Sequence, residues 1–319
     1  MGGRVGHGIG FEGEIGLSGG AGLASVKMPF AQDWGSFKTL EVPFTTDGLG
    51  AQQGFEILSD GASPVHLFNQ QDLGASSAQF YINTATTAHG VAFVAANDYG
   101  FVNFTKWGMD SIIGNGGENA VSTGNPNGTP PLGAGGPNAN YLRAAWLGQV
   151  GDFDSALGFQ YWSGTTSSAS GNGGALTPGV YTVKARSIDG QMLGDLGSMP
   201  LTLIASYADA PVATGSDAPN AFNLGQQDRK SFNIAAELGV LPKTTVQLAL
   251  RNAKSGITTS TSSNATDNAV MIGATYSIAL NVRAEFTYSK YSGDLYDAAG
   301  GAVPATGDQF TAVNLWMAY

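Results

Sequence analysis

Hydrophobic and polar residues alternate along much of the chain, most clearly in its C-terminal half. Between residues 280 and 289, every even position is hydrophobic and every odd position is polar or charged. A period of two predicts a β-strand with one apolar face and one polar face. This stretch also has about the ten-residue length that a tilted strand needs to cross a bilayer.

The same alternation predicts further strands upstream. They cover residues 142–150, 157–161, 181–186, 201–207, 232–238, 246–250 and 270–276, with less regular candidates at 4–17, 78–83, 91–95 and 101–107. In the 78–83 stretch, Ala78, Phe80 and Ile82 would share one face. Allowing about ten residues per strand plus connections, the chain has room for about 14 to 16 strands.

The connections between these strands alternate between short and long. Short turns are expected at 151–154, 239–243 and 277–279. Long segments rich in Gly, Ser, Thr and Asn are expected at 108–139, 163–179, 208–229, 253–266 and 291–308. This sorting predicts that all tight turns lie at one edge of the sheet and all long loops at the other.

Composition narrows the class of protein. The chain has 319 residues, enough for one large barrel or two soluble domains, and only 12% of them are charged, about half the share in a typical soluble domain. A run of about 18 apolar residues, which a transmembrane helix requires, does not occur in the sequence. These features leave two classes, a soluble all-β protein and a membrane barrel whose lipid face carries no charges.

Charge and the N-terminal sequence add two expectations. The formal net charge of −10 argues against nucleic acid as a partner, because such proteins need a basic footprint. The first ten residues have neither a basic region nor an apolar run, so no signal peptide is recognised. We therefore expect a sequence that is either mature or truncated at its N-terminus.

The last strand suggests a family. Its alternate positions carry Thr311, Val313, Leu315, Met317 and Tyr319, and the chain stops on the tyrosine. This segment resembles the closing strand of a Gram-negative outer-membrane β-barrel, and the whole chain resembles the porins of that class in architecture.

The resemblance implies an all-β fold: a closed antiparallel transmembrane β-barrel, formed as a single domain by residues 1–319. It also implies short periplasmic turns, long extracellular loops and a location in the bacterial outer membrane. Outer-membrane lipid and lipopolysaccharide would be its surroundings, and assembly into a homotrimer is implied as well.

Charges on the polar strand faces predict the pore lining. A charge that faced lipid near the membrane midplane would cost about 2–4 kcal/mol, so these residues should face a water-filled lumen. The candidates are Glu12, Glu14, Lys106, Arg143, Lys184, Arg186, Glu237, Arg251, Arg283 and Glu285. The alternative is that they are solvated residues on the exterior of a soluble sandwich.

Loop 108–139 resembles the constriction loop of general porins in its length and placement. By that analogy, the acidic side chains Asp110 and Glu118 would complete the pore lining opposite the wall arginines Arg143, Arg186, Arg251 or Arg283. The alternative is an outer loop without a fixed place in the pore, which its Gly, Asn and Pro content also fits.

Motifs of catalysis and metal binding are weak. Residues 8–13 match GxGxxG and residues 16–20 match GxSxG, but both motifs require a strand followed by a helix, and here they fall in a strand and a turn. The three histidines have no second ligand at metal-binding spacing, and cysteine is absent. We therefore expect no enzymatic activity, no cofactor and no metal site.

The leading functional hypothesis is passive diffusion of small hydrophilic solutes and ions through the barrel. The first alternative is a structural barrel that sheathes or anchors a membrane-complex partner, such as an electron-transfer component or a surface assembly. The second alternative is a soluble all-β adhesin or lectin-like domain. Partitioning into buffer without detergent would favour the last of these.

Overall fold

The fold is described by a computed structural model. It covers residues 2–4, 10–16, 22–27, 32–34, 37–41, 44–45, 78, 81–82, 84, 89–108, 139–170, 176–215, 217–280 and 282–317, with backbone alone for some of these, including all those before residue 78. Apart from short helical turns, the described elements are strands. None of the described helical segments is long and apolar enough to cross a membrane.

The strands form two sheets. A small sheet contains β1 (Gly2–Arg4), β2 (Gly10–Gly16) and β3 (Gly22–Lys27). The large sheet has fourteen strands within the described part of the chain. They are β4 (Gln32–Trp34), β5 (Phe37–Glu41), β6 (Phe44–Thr45), β7 (His89–Asn97), β8 (Gly100–Gly108), β9 (Ala139–Val150), β10 (Phe153–Ser170), β11 (Leu176–Leu196), β12 (Met199–Ala210), β13 (Arg229–Leu241), β14 (Thr244–Ser255), β15 (Asn268–Ala279), β16 (Val282–Ser292) and β17 (Gln309–Met317).

From β7 to β17, each strand pairs antiparallel with the next one in the chain. Strands β5 and β6 both pair with β7, and β4 forms the far edge. Among the described residues, no pairing joins the edge strands β4 and β17. The predicted all-β antiparallel architecture is therefore confirmed.

Connection lengths alternate as the sequence predicts. Two-residue turns follow β7, β9, β11, β13 and β15, and the long connections follow β8, β12, β14 and β16. Gly151 and Gly197 take positive φ values of 62° and 68° in two of these turns, a conformation that glycine adopts without steric cost. The turn expected at 277–279 lies two to three residues later, because β15 continues to Ala279.

The prediction of a long loop at 163–179 is wrong. Most of that segment is strand, because β10 continues to Ser170 and β11 begins at Leu176. Strand β9 pairs with β10 only as far as Gly164, and β12 pairs with β11 only from Arg186 onward. The outer part of this hairpin is therefore a two-stranded ribbon that extends past both neighbouring strands.

One face of the large sheet is apolar and exposed. Ile234, Leu250 and Val270 lie side by side on β13, β14 and β15, and all three are exposed. A soluble sandwich would bury Leu280 and Phe286 between its sheets, yet they are 90% and 46% exposed. Soluble proteins normally place such residues inside, so this face is suited to a surrounding that is itself apolar.

The opposite face carries buried polar side chains. Asn233, Gln247 and Thr275 alternate with the exposed apolar positions on β13, β14 and β15, and they are almost completely buried. Small and aromatic residues around Trp162 add an apolar cluster on this same face. We call the two sides the outward apolar face and the inward polar face.

Candidate functional site

The inward polar face contains a hydrogen-bonded network across three strands. Arg143 on β9 donates from Nη1 to Oδ2 of Asp189 at 3.0 Å and from Nη2 to Oδ1 at 2.9 Å. Gln160 on β10 donates from Nε2 to the same Oδ2 at 2.7 Å, and Tyr141 donates its hydroxyl to Gln160 Oε1 at 2.9 Å. The Arg143 and Asp189 side chains are only 2% and 0% exposed. Their pairing is therefore a buried one, in which each charge depends on the other.

Gly158 leaves the space that this ion pair occupies. A Cβ added to Gly158 would lie 2.4 Å from Asp189 Oδ1 and 3.1 Å from Arg143 Nη2. Because Gly158 lies on β10, between the strands that carry the two charges, any larger residue there would displace the pair. Glycine is needed at this position for close approach rather than for a positive φ.

A second charged cluster lies nearer the long connections. Arg251 on β14 forms a buried ion pair with Asp267, and its Nε also donates to the Asp267 carbonyl at 3.3 Å. Tyr296 donates its hydroxyl to Asp267 Oδ1 at 3.2 Å. Burial, followed by the nearby Asp267 carboxylate, raises the pKa of Tyr296 above its ordinary value. The hydroxyl therefore stays protonated and remains a donor to Asp267.

A helical turn near residues 78–82 packs against the inward face. Ile82 N donates to Ala78 O at 3.1 Å, and both side chains are fully buried in the cluster around Trp162. The Tyr81 ring lies under two guanidinium groups, 5.2 Å from Arg229 and 5.0 Å from Arg251, close enough for cation–π attraction. The predicted strand at 78–83 is therefore wrong, because the Ala78–Ile82 spacing closes a turn of helix here.

The connection after β12 also folds over the inward face. Phe222 is fully buried, and its ring meets the Trp162 ring edge-on with centroids 6.2 Å apart. Two asparagines hold the backbone there: Asn220 Nδ2 donates to Lys184 O at 2.7 Å, and Asn223 Nδ2 donates to Ala210 O at 2.8 Å. The strand pattern missed this segment, because the sequence around Phe222 shows no alternation of hydrophobic and polar residues.

Five of the predicted pore-lining residues lie on the inward face. They are Arg143, Glu237, Arg251, Arg283 and Glu285. Four more fall outside the side chains that the structure describes: Glu12 and Glu14, of which only the backbone of β2 is given, and Asp110 and Glu118 in segment 109–138. The proposal of a constriction loop at 108–139 therefore lies outside the described residues.

The structure corrects the assignment of Lys106, Lys184 and Arg186, which lie on the outward face. Lys106 alternates with buried Asn103 in β8, and its Nζ donates to Asn140 Oδ1 at 3.1 Å. Arg186 is 64% exposed and forms an ion pair with Asp209 at 2.8 Å.

The reason for the β11 error is local packing. Tyr181, Val183 and Ala185 face inward there, where they join the cluster around Trp162. Lys184 and Arg186 alternate with these residues in the strand and therefore face outward. On β11 the hydrophobic positions thus mark the inward face near the long connections, the reverse of the rule that holds on β13 to β16.

Much of the inward face is covered. Arg143 and Glu285 are 1% and 2% exposed, so the space beside them is filled rather than open to bulk water. Nearer the two-residue turns, a cavity of about 610 Å³ is lined by Thr202, Glu237 and Thr245 among others. The inward face is therefore closely packed at both Arg143 and Glu285, and a partly polar cavity lies beside it near the turns. Within the described residues, no group of three or more His, Asp or Glu side chains could hold a metal ion.

Comparisons with known proteins relate this architecture to solved structures. No family model matches the chain, and no curated protein does. A loop-L8 deletion mutant of OmpT, an outer membrane protein of Vibrio cholerae, is 11% identical with a TM-score of 0.52, over 99% of this chain and 87% of that one. In-vitro folded OmpT of the same organism, in its trimer form, is 12% identical with a TM-score of 0.50, over 92% of this chain and 78% of that one.

Identities this low support a likeness of fold only. The likeness agrees with the antiparallel strand order, the alternation of turn lengths and the outward apolar face. The chain therefore has the fold of an outer-membrane β-barrel protein.

Proposed function

We propose that residues 1–319 close into a single antiparallel barrel in the bacterial outer membrane and admit small hydrophilic solutes and ions through its interior. The observation that carries this proposal is that the apolar face of the sheet is exposed and the polar face is buried. Leu250 and its apolar neighbours are exposed on the outward apolar face. Arg251, the next residue in sequence, is charged and lies on the inward polar face. In a transmembrane barrel, strands alternate in this way between lipid and lumen.

The inward segments define where such a pore would be narrowest. The turn at 78–82 and the connection containing Phe222 both lie against the inward face near the long connections. Side chains of both charges, including Arg251 and Asp267, line that region. Pore linings of mixed charge set conductance and ion preference through the local field, so this cluster would govern which ions pass.

Trimeric assembly and the absence of catalysis belong to the same proposal. Trimer formation is supported by likeness to a neighbour described as a trimer form. The proposed channel needs no cofactor, since passive diffusion requires only a polar path. The lipid surroundings would be those of the outer membrane, including lipopolysaccharide.

One observation favours the alternative of a structural barrel. Gln160 and Ser289 on the inward face are completely buried, and a closely packed interior fits a barrel that anchors a partner without conducting. This alternative shares the outward apolar face and the membrane location. It differs from the pore only in whether a continuous aqueous path crosses the barrel.

Planar-bilayer recordings with the purified full-length protein separate the two functions. Stable, repeated conductance steps are expected for a pore. In a salt gradient, Arg283→Ala should shift the reversal potential, because Arg283 lies on the inward face. A barrel that inserts fully but gives no conductance steps would contradict the pore and support the structural alternative.

A further inference from the structure

Among the described side chains, cations on the outward face are confined to one end of the sheet. They stand at the middle of their strands or in the half away from the two-residue turns, and we call them the cation belt. Its members are Lys106 on β8, Lys184 and Arg186 on β11, Lys230 on β13, Lys254 on β14 and Lys290 on β16. Among the strands whose side chains are described, no Lys or Arg faces outward in the half nearest the two-residue turns.

The cation belt begins where the apolar residues end. On β13, exposed Phe232 is followed, two residues closer to the long connections, by outward-facing Lys230. On β11, exposed Ile188 is followed in the same direction by Arg186. Outward cations are costly near the centre of a bilayer and nearly neutral at its interfaces. This dependence places the cation belt at the level of the lipid headgroups on the side of the long connections.

Two members of the cation belt face each other directly. Lys230 and Lys254 are cross-strand partners on β13 and β14, and like charges directly opposite each other destabilise a sheet. The acid beside them, Asp209, pairs with Lys230 across β12 and β13 but is already bonded to Arg186 at 2.8 Å. Lys254 Nζ donates to the Asn264 carbonyl at 3.3 Å. Its charge also helps to lower the pKa of Asp294 on the last long connection, so the acid closest to balancing Lys254 comes from outside the strands.

The row of cross-strand partners therefore carries more positive than negative charge. It runs from Arg186 through Asp209 and Lys230 to Lys254, with three cations for one acid. An anion seated between Lys230 and Lys254 would relieve their repulsion. Phosphate is a suitable anion, because its several oxygens accept charge-assisted hydrogen bonds from lysine.

We propose that the cation belt docks the phosphate groups of anionic lipids, with Lys230 and Lys254 as its centre. The inference rests on the proposed function to the extent that the barrel spans a bilayer, and it is independent of whether the barrel conducts. Because the cations lie on one side only, the site lies in the leaflet on the side of the long connections. Headgroup phosphate there lies next to the apolar face, so the lipid's acyl chains and its phosphate would both be contacted.

The test uses full-length protein in two kinds of vesicle, phosphatidylcholine alone and phosphatidylcholine mixed with phosphatidylglycerol. Flotation with the neutral vesicles measures insertion. Native mass spectrometry after detergent extraction then measures how strongly phosphatidylglycerol is enriched on the protein relative to the vesicles. The double variant Lys230→Gln/Lys254→Gln is compared with Lys243→Gln, which removes a lysine from the two-residue turn after β13, at the opposite edge of the sheet.

We expect phosphatidylglycerol to be enriched on the wild type and on Lys243→Gln. On the double variant, its proportion should fall to that in the vesicles. On the wild type alone, enrichment should also decrease as salt is raised, because the contacts lie at an exposed surface. Enrichment that survives the double substitution, or none on the wild type at any salt, would overturn the inference. Displacement of the lipid by inorganic phosphate would show a simple anion site and contradict lipid docking.

The outcomes separate this inference from the pore proposal. Protein that fails to float with neutral vesicles would contradict the membrane-spanning part of the proposed function, and the cation belt would lose its role with it. Protein that floats, enriches phosphatidylglycerol and gives no conductance would support lipid docking and contradict only the pore.

Discussion

Arg143 and Asp189 form an ion pair across a strand that lies between them. Arg143 belongs to β9 and Asp189 to β11, and two hydrogen bonds of 3.0 and 2.9 Å join them over β10. Gly158 is the β10 residue beneath the pair. The pair therefore links three strands through side chains, in addition to the backbone ladders that join them.

Gly158→Ala should destabilise the barrel by about 1–3 kcal/mol, the usual effect of overpacking a tight interior. The added Cβ would lie 2.4 Å from Asp189 Oδ1 and force the carboxylate away from Arg143. The matched control is Gly190→Ala on β11, where the nearest atoms to a Cβ are at 3.4 and 3.7 Å. Urea unfolding followed by tryptophan fluorescence would measure both variants. Equal stability of the two variants would contradict the placement of the Arg143–Asp189 pair directly over Gly158.

Asp189→Asn should cost about 3–5 kcal/mol in folding free energy, because it leaves the Arg143 charge buried without its partner. Asp209→Asn is the comparison: the Asp209 side chain is 12% exposed, but its partner Arg186 is 64% exposed, so water can reach the guanidinium that loses its bond. For this partly exposed pair the expected loss is smaller, about 1 kcal/mol. Thermal unfolding in detergent gives both values. Similar losses for the two substitutions would mean that burial does not control the contribution of the pair.

Tyr81→Leu should raise single-channel conductance if the inward turn at 78–82 narrows the pore. The Tyr81 ring lies within 5.2 Å of both Arg229 and Arg251, so its removal detaches the turn from the charged wall. Tyr99→Leu removes an exposed tyrosine from a turn at the opposite end of the sheet and serves as the control. An unchanged conductance in Tyr81→Leu, with normal insertion, would exclude this turn from the narrowest part of the path.

Low pH should loosen the contact between the last two long connections. The Thr266 backbone N–H donates to Asp294 Oδ2 at 3.2 Å, and this bond, followed by bonds from the Thr266 and Ser262 hydroxyls, holds the pKa of Asp294 below its ordinary value. A carboxylate with a lowered native pKa stabilises the fold above its unfolded pKa of about 4, and the effect is lost as the pH falls through the native pKa.

Amide exchange at Thr266, measured across this acidic range, reports the loosening directly. Protection should decrease as Asp294 becomes protonated. Asp294→Asn should show weaker protection at neutral pH and little further change on acidification. A variant that retains the wild-type pH dependence would assign the effect to another acid.

The strand pattern predicts the faces correctly wherever the inward side is polar along its whole length. On β16, Glu285 and Thr287 are buried and Phe286 is exposed, as the alternation indicates. On β11 the same reasoning fails, because inward Val183 and Ala185 pack against the cluster around Trp162. The difference between β16 and β11 comes from a contact between distant parts of the chain. The sequence of one strand alone does not indicate that contact.

The candidate site was harder to predict than the fold. Arg143 and Arg251 could be placed inside from alternation, but their partners Asp189 and Asp267 could not be chosen, since each pairing depends on which strands are neighbours. Tyr81 was missed because Ala78 and Ile82 fit both a strand and a helical turn over so short a stretch. A six-residue segment is too short for its hydrophobic period to decide between them.

The length of the β10–β11 hairpin has a practical consequence. Strand β11 has 21 residues, about twice the number that a bilayer crossing requires, and its outer part lies beyond the ladders with β9 and β12. If the barrel is inserted as proposed, a short peptide tag placed between β10 and β11 would stand clear of the lipid surface. Antibody labelling of such a tag on intact cells would then reveal which side of the membrane the long connections occupy.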